Sequence, residues 1–164
     1  MNTTLQVAKH IRESAMGNNW TDVCLKNSLQ NISWQQANIS IAGCNSIAVL
    51  AFHIGYYVKA ILQVMQGGAL EAHDKFSFDA PAINNDDEWN QRIKEVLANI
   101  ESLANSVMNI SDEVLEDFFT QEKYGNYYRN LHGVTEHLYY HMGQINLLKK
   151  MILAKVNDNQ TIAP

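Results

Sequence analysis

Apolar residues recur every three or four positions over most of this chain, and prolines occur only at Pro81 and Pro164, so the sequence has little choice but to fold as helices. Three stretches carry the pattern: Ile47, Leu50, Ile54, Val58, Ile61 and Met65; Trp89, Ile93, Val96, Ile100, Leu103 and Val107; and Leu131, Val134, Leu138, Met142, Ile145, Leu148 and Ile152. Strands would alternate instead. The fold class is therefore all-α, and three long helices plus a shorter one predict a four-helix bundle.

Local signals set the expected boundaries. A first helix within residues 1–44 starts at Thr3, with Gln6 as capping-box partner, and stops at Gly17-Asn18-Asn19. Trp20 to Ser40 has looser apolar spacing, which predicts a short helix, a turn and another helical turn. Asn45 or Ser46 caps the second long helix (45–66), which Gly67-Gly68 ends. Residues 69–84 show no period and contain Pro81, as expected of an exposed crossover. Asn85, with Glu88 three residues on, opens the third helix (85–110). Ser111 to Phe119 makes a short extra helical segment, and the last helix runs over 126–154, with Lys149 and Lys150 suiting its C-terminal dipole.

At 164 residues the chain fits one domain, 1–164. Its 17 acidic and 12 basic side chains give a formal charge of -5, which repels phosphate backbones, so nucleic acid is not an expected partner. Cys24 and Cys44 lie without CxxC or Cys/His spacing and read as reduced thiols, and Met1 to Met16 lacks the apolar run of a signal peptide. Both point to a cytoplasmic protein. Ile47 to Met65 is long enough to span a membrane, but His53, Lys59 and Gln63 inside it favour a central bundle helix, so no membrane is expected.

The chemistry centres on histidine. His137 and His141 are four residues apart, one turn above one another, and can grip a single ion. On a wheel they flank the stripe of Val134, Leu138, Met142 and Ile145, with Asn130 and Gln144 on the same side, whereas His132 lies about 140° from His137. Among His10, His53 and His73, the third ligand is expected to be His53, in the middle of the most apolar helix, where an imidazole costs desolvation unless its nitrogens are engaged. Three neutral imidazoles leave open positions on a divalent ion, as in catalytic zinc sites. A hydrogen-bonded core histidine is the competing reading of His53, and periodicity alone does not join it to the pair. Tyr56, Tyr57, Tyr139 and Tyr140 read as packing and rim residues. The chain has no His-Glu-x-x-His, Glu-x-x-His, Gly-x-x-x-x-Gly-Lys or Gly-x-Ser-x-Gly motif, and no catalytic acid or base stands out.

Two segments resemble a known family. Asn45-Ser46-Ile47-Ala48-Val49-Leu50-Ala51-Phe52-His53-Ile54 is similar to the second-helix opening of the DinB/YfiT-like superfamily, where a Ser-Ile pair precedes the first ligand. Glu136-His137-Leu138-Tyr139-Tyr140-His141-Met142-Gly143-Gln144-Ile145 is similar to its final-helix motif, HxxxH followed by Gly-Gln-Ile. Trp20-Thr21-Asp22-Val23 with Leu25, Leu29 and Gln36-Ala37 extends the likeness over nearly the whole chain. The resemblance implies a DinB/YfiT-like four-helix bundle with His53, His137 and His141 as ligands of zinc or nickel. It also implies a small-molecule substrate, frequently a homodimer, and transferase chemistry with low-molecular-weight thiols such as bacillithiol, mycothiol or glutathione.

The leading expectation is a metal-dependent transferase in which the ion holds a small thiol as thiolate for attack on an electrophile. A metal-dependent hydrolase needs the same ligands and a general acid besides. A non-catalytic bundle that binds a metal or ligand is the third reading. Trp34, Trp89, Phe118 and Phe119 are expected to leave apolar surface for a second copy.

Overall fold

The computed structural model describes residues 2–161, with side chains to Lys155, and among these residues the ordered elements are helical throughout. Four long helices carry the fold: α1 (Thr3–Met16), α4 (Ile47–Met65), α5 (Asp86–Met108) and α6 (Tyr127–Thr161). Two short ones, α2 (Leu25–Leu29) and α3 (Trp34–Ala37), occupy the stretch of loose spacing. The long helices pack in a ring, α1 against α5, α5 against α4, α4 against α6 and α6 against α1.

Each long helix begins where side-chain chemistry satisfies its first amides. Ser46 caps α4 by accepting from the Val49 N–H, and Asn85 caps α5 by accepting from the Glu88 N–H; each such cap contributes about 1 kcal/mol. The start of α1 differs from the expected Thr3–Gln6 box. Asn2 is its cap, and the Asp112 carboxylate, from the segment after α5, accepts the N–H groups of Thr3 and Thr4 at 2.9 Å each. A tertiary carboxylate thus does what the local box would have done. The last helix also outruns its expected end at 154 and continues to Thr161.

The core is one cluster drawn from all four long helices, including Val7, Ile11, Leu50, Ile54, Val96, Ile100, Leu131 and Ile145. Among the described residues α4 is the one helix long and apolar enough to cross a membrane, and most of it is buried inside the fold as the central helix. Two expectations of surplus surface are corrected. Trp89 is buried, its indole N–H donating to the Ile32 carbonyl at 3.0 Å. Phe119 is buried too, because the bridge between Phe118 and Asn126 turns alternate residues inward and sets it against Tyr127. Trp34 is half-buried against the core, and Phe118 alone of the four stays exposed. The expected helical segment after Ser111 is a 3-10 turn at Asp112–Glu116.

The direction of the helices decides what covers the site. The Arg92 guanidinium donates to the Ala48 carbonyl at 3.4 Å, and Gly55 faces Val96, so α4 and α5 run the same way. Residues 66–85 must therefore travel back along the bundle by roughly the length of α4, about 28 Å at 1.5 Å per residue. On the way they pass over His53.

Candidate metal centre

His53 is buried midway along α4, and His137 and His141 project from consecutive turns of α6 on the facing side. The sequence-expected triad is brought together: one ring nitrogen from each residue lies within 4.8 Å of the other two, close enough to share an ion. Nitrogens held at about 2.0–2.1 Å by a tetrahedral zinc lie about 3.4 Å apart, so the side chains need only small adjustment.

Hydrogen bonds fix which nitrogens face inward. His53 Nδ1 meets the Ser77 carbonyl at 3.1 Å, an acceptor, so Nδ1 carries the hydrogen and Nε2 keeps its lone pair. His141 Nδ1 meets Gln144 Oε1 at 2.7 Å with the same consequence. His53 Nε2 then stands 3.0 Å from His137 Nε2. Two lone pairs cannot face each other at that distance, so either a hydrogen or a cation lies between them. Without an ion His137 Nε2–H donates, and its buried Nδ1 is left with no partner among the described residues. Donor set and tautomers fit a divalent ion held on Nε2, and His137 Nδ1 is without a partner among the described residues in either state.

Burial favours the neutral form of His53 and His137, as coordination requires. The pKa of His137 falls to about 4, first because burial penalises the imidazolium and then because His141 and His53 add like charge. His53 is also held below its ordinary value, chiefly by burial, against the opposing pull of the Ser77 carbonyl.

The crossover supplies what the helices do not. Phe78 stacks on His53 with ring centroids 3.9 Å apart and planes at 10°, and Ser77 is buried over the same ring. A 3-10 turn at Asp74–Phe76 places the Asp74 carboxylate against the Tyr57 hydroxyl, and Tyr57 packs edge-on to both His53 and His137. Burial first, then the bond to Asp74, holds the Tyr57 phenol above its ordinary pKa, so it stays protonated. Of the four tyrosines read as rim residues, Tyr57 lines the site; Tyr140 packs edge-on to His141, and Tyr56 anchors the crossover through the backbone of His73.

Other candidates lie elsewhere. His132 pairs with Tyr128 and His10, and the His73 ring stands against Phe76. Asn130 donates to the carbonyls of Tyr124 and Asn126 near the start of α6. Cys24 is buried and Cys44 exposed, both free thiols. Gln144 was visible from its wheel position, whereas Asp74, Ser77 and Phe78 sit in an aperiodic segment that gives no signal of their role. In comparisons with known proteins, no family model, no curated protein and no solved structure matches this chain.

Proposed function

We propose that His53, His137 and His141 hold one divalent ion, zinc or nickel, and that the protein is a DinB/YfiT-like, metal-dependent transferase using a low-molecular-weight thiol. The observation that carries the metal reading is the convergence of one ring nitrogen from each of three histidines, two of which, His53 and His141, have Nε2 freed by the bonds of Nδ1 to Ser77 and Gln144. When bound, a divalent ion there supplies a Lewis acid that lowers the pKa of a thiol. The chain itself orients His53 and His141 through Ser77 and Gln144, favours the neutral form of His53 and His137 by burial, and shields one side of His53 with Phe78. Tyr57 stands beside His137 as a protonated phenol whose hydrogen goes to the Asp74 carboxylate, so it reaches a leaving group only by giving up that bond. That proton source also favours metal-dependent hydrolysis as a second reading. The likeness of the two histidine segments to the DinB/YfiT-like pattern supports the thiol over water, and with it a cytoplasmic homodimer.

Metal analysis comes first: one zinc or nickel per chain, lost in His53→Ala, supports the centre, and unchanged metal in that variant rejects it. A conjugation screen with a model electrophile follows. Thiol-dependent consumption supports the transferase, ester or amide turnover without thiol supports the hydrolase, and silence in both leaves a non-catalytic metal-binding bundle.

A further inference from the structure

A groove of about 770 Å³ opens beside the triad, between α4 and α6. His137 closes its inner end, Tyr57 and Ile61 form one wall, and Arg129, Gly133 and Glu136 lie along the other. Positions 129, 133, 136 and 137 follow the i, i+4, i+7, i+8 spacing of one helix face. Tyr57 and Ile61 follow the same spacing on α4, which runs antiparallel to α6 here, since Tyr57 packs on His137 while His53 packs on both His137 and His141. The groove therefore leads from the triad toward the start of α6, and Arg129 lies about 12 Å along the helix from His137.

Two features mark the groove. Gly133 sits in the second turn of α6, where glycine costs about 1 kcal/mol against alanine, yet among the described residues a Cβ there would meet no atom within 4 Å. No helix packs closely enough to require it; what it provides is room over the groove floor. Arg129 stands in the first turn of α6, where a cation opposes the helix dipole. Among the described residues the ion pairs are Lys9–Glu13 and Arg12–Glu101, and Arg129 forms none. An unpaired guanidinium fork at the outer end of an open channel is matched to an oxyanion. Glu136, toward the inner end, disfavours a second negative charge there.

We propose that this groove binds an elongated small molecule carrying an oxyanion, carboxylate or phosphate, at the Arg129 end and a neutral or cationic group at the His137 end. The proposal rests on the transferase reading only for what happens at the inner end; the groove itself is testable without metal. Octanoate is a suitable probe, its chain lying along Tyr57, Ile61 and Gly133, with octylphosphonate and octylamine as comparisons. In NMR titrations of metal-free and zinc-loaded protein, octanoate or octylphosphonate should shift the amides of Tyr57, Arg129 and Gly133, and octylamine should not. Whichever oxyanion binds more tightly identifies the headgroup class. Arg129→Gln should weaken oxyanion binding about tenfold. Gly133→Leu should abolish it by filling the channel while raising helix propensity; both variants should keep wild-type zinc stoichiometry, Arg129→Gln should melt as wild type, and Gly133→Leu should melt no lower. Equal binding of octylamine, shifts confined to another surface, or unchanged affinity in Arg129→Gln would overturn the groove assignment. Loss of zinc binding in the unaltered protein would instead defeat the metal reading and leave the octanoate result standing.

Discussion

Replacing Gln144 by Leu separates a metal centre from a fortuitous meeting of three histidines. In the wild-type chain Gln144 Oε1 accepts from His141 Nδ1–H at 2.7 Å, one turn further along the same helix, and so holds the Nε2 lone pair toward His53 and His137. Leucine keeps the bulk and the helix propensity but offers no acceptor. The buried ring must then leave Nδ1–H unsatisfied, at about 1–3 kcal/mol, or move the hydrogen to Nε2, where it blocks coordination. Either way the cost falls on the metal-bound state, and loss of such a supporting hydrogen bond lowers metal affinity by about 10- to 100-fold. That corresponds to about 1.4–2.7 kcal/mol. Competition titration with a zinc-binding indicator reads it directly, with circular dichroism confirming the fold. Gln144→Glu should restore or exceed wild-type affinity, because a carboxylate accepts more strongly and raises the basicity of the ring. A folded Gln144→Leu protein with wild-type zinc affinity would refute the tautomer argument.

Four further outcomes follow from the same contacts. His137→Ala and His141→Ala, like His53→Ala, should lose most bound metal, because two imidazoles hold zinc poorly against buffer, whereas His10→Ala and His132→Ala should lose none by elemental analysis. Gly55→Ala would put a Cβ 2.8 Å from Val96 Cγ2 where α4 meets α5, so it should cost about 1–3 kcal/mol in denaturant unfolding, and Val96→Ala in the same chain should recover part of it. Trp89→Ala should cost about 3–5 kcal/mol by the same measurement, since it empties a core position and orphans the Ile32 carbonyl. His137 has its pKa depressed from 6.5 to about 4, so the metal-free unfolded chain binds more protons between those values; stability is complete above pH 6.5 and should fall as pH drops toward 4, and a melting temperature flat across that window would contradict the burial of a neutral ring.

The parts of the fold written in local chemistry were legible in the sequence, and those set by tertiary contacts were not. Ser46 and Asn85 are short polar residues directly before apolar-periodic runs, and each caps its helix as its position predicts. Lys149 and Lys150 resemble C-terminal charges, but α6 does not end with them. Lys149 instead donates to the carbonyls of Ser28 and Gln30 at the end of α2, so its charge serves another helix. Trp89 likewise belongs to the apolar stripe of α5, and register, not size, decides its burial.

The site divides along the same line. Its helix-borne half follows from spacing: four residues bring His137 and His141 onto one flank, and an imidazole in the middle of α4 demands partners. Its loop-borne half has no comparable trace, because the atom that fixes the His53 tautomer is the main-chain carbonyl of Ser77, which any residue would supply. What demands a segment there is topology. Parallel α4 and α5 force residues 66–85 to run back along the bundle, and the flank of α4 beneath them carries His53 and Tyr57. The connection that the helix order requires thus also closes one side of the histidine cluster, and its long aperiodic sequence reflects the geometry it must follow rather than an absence of function.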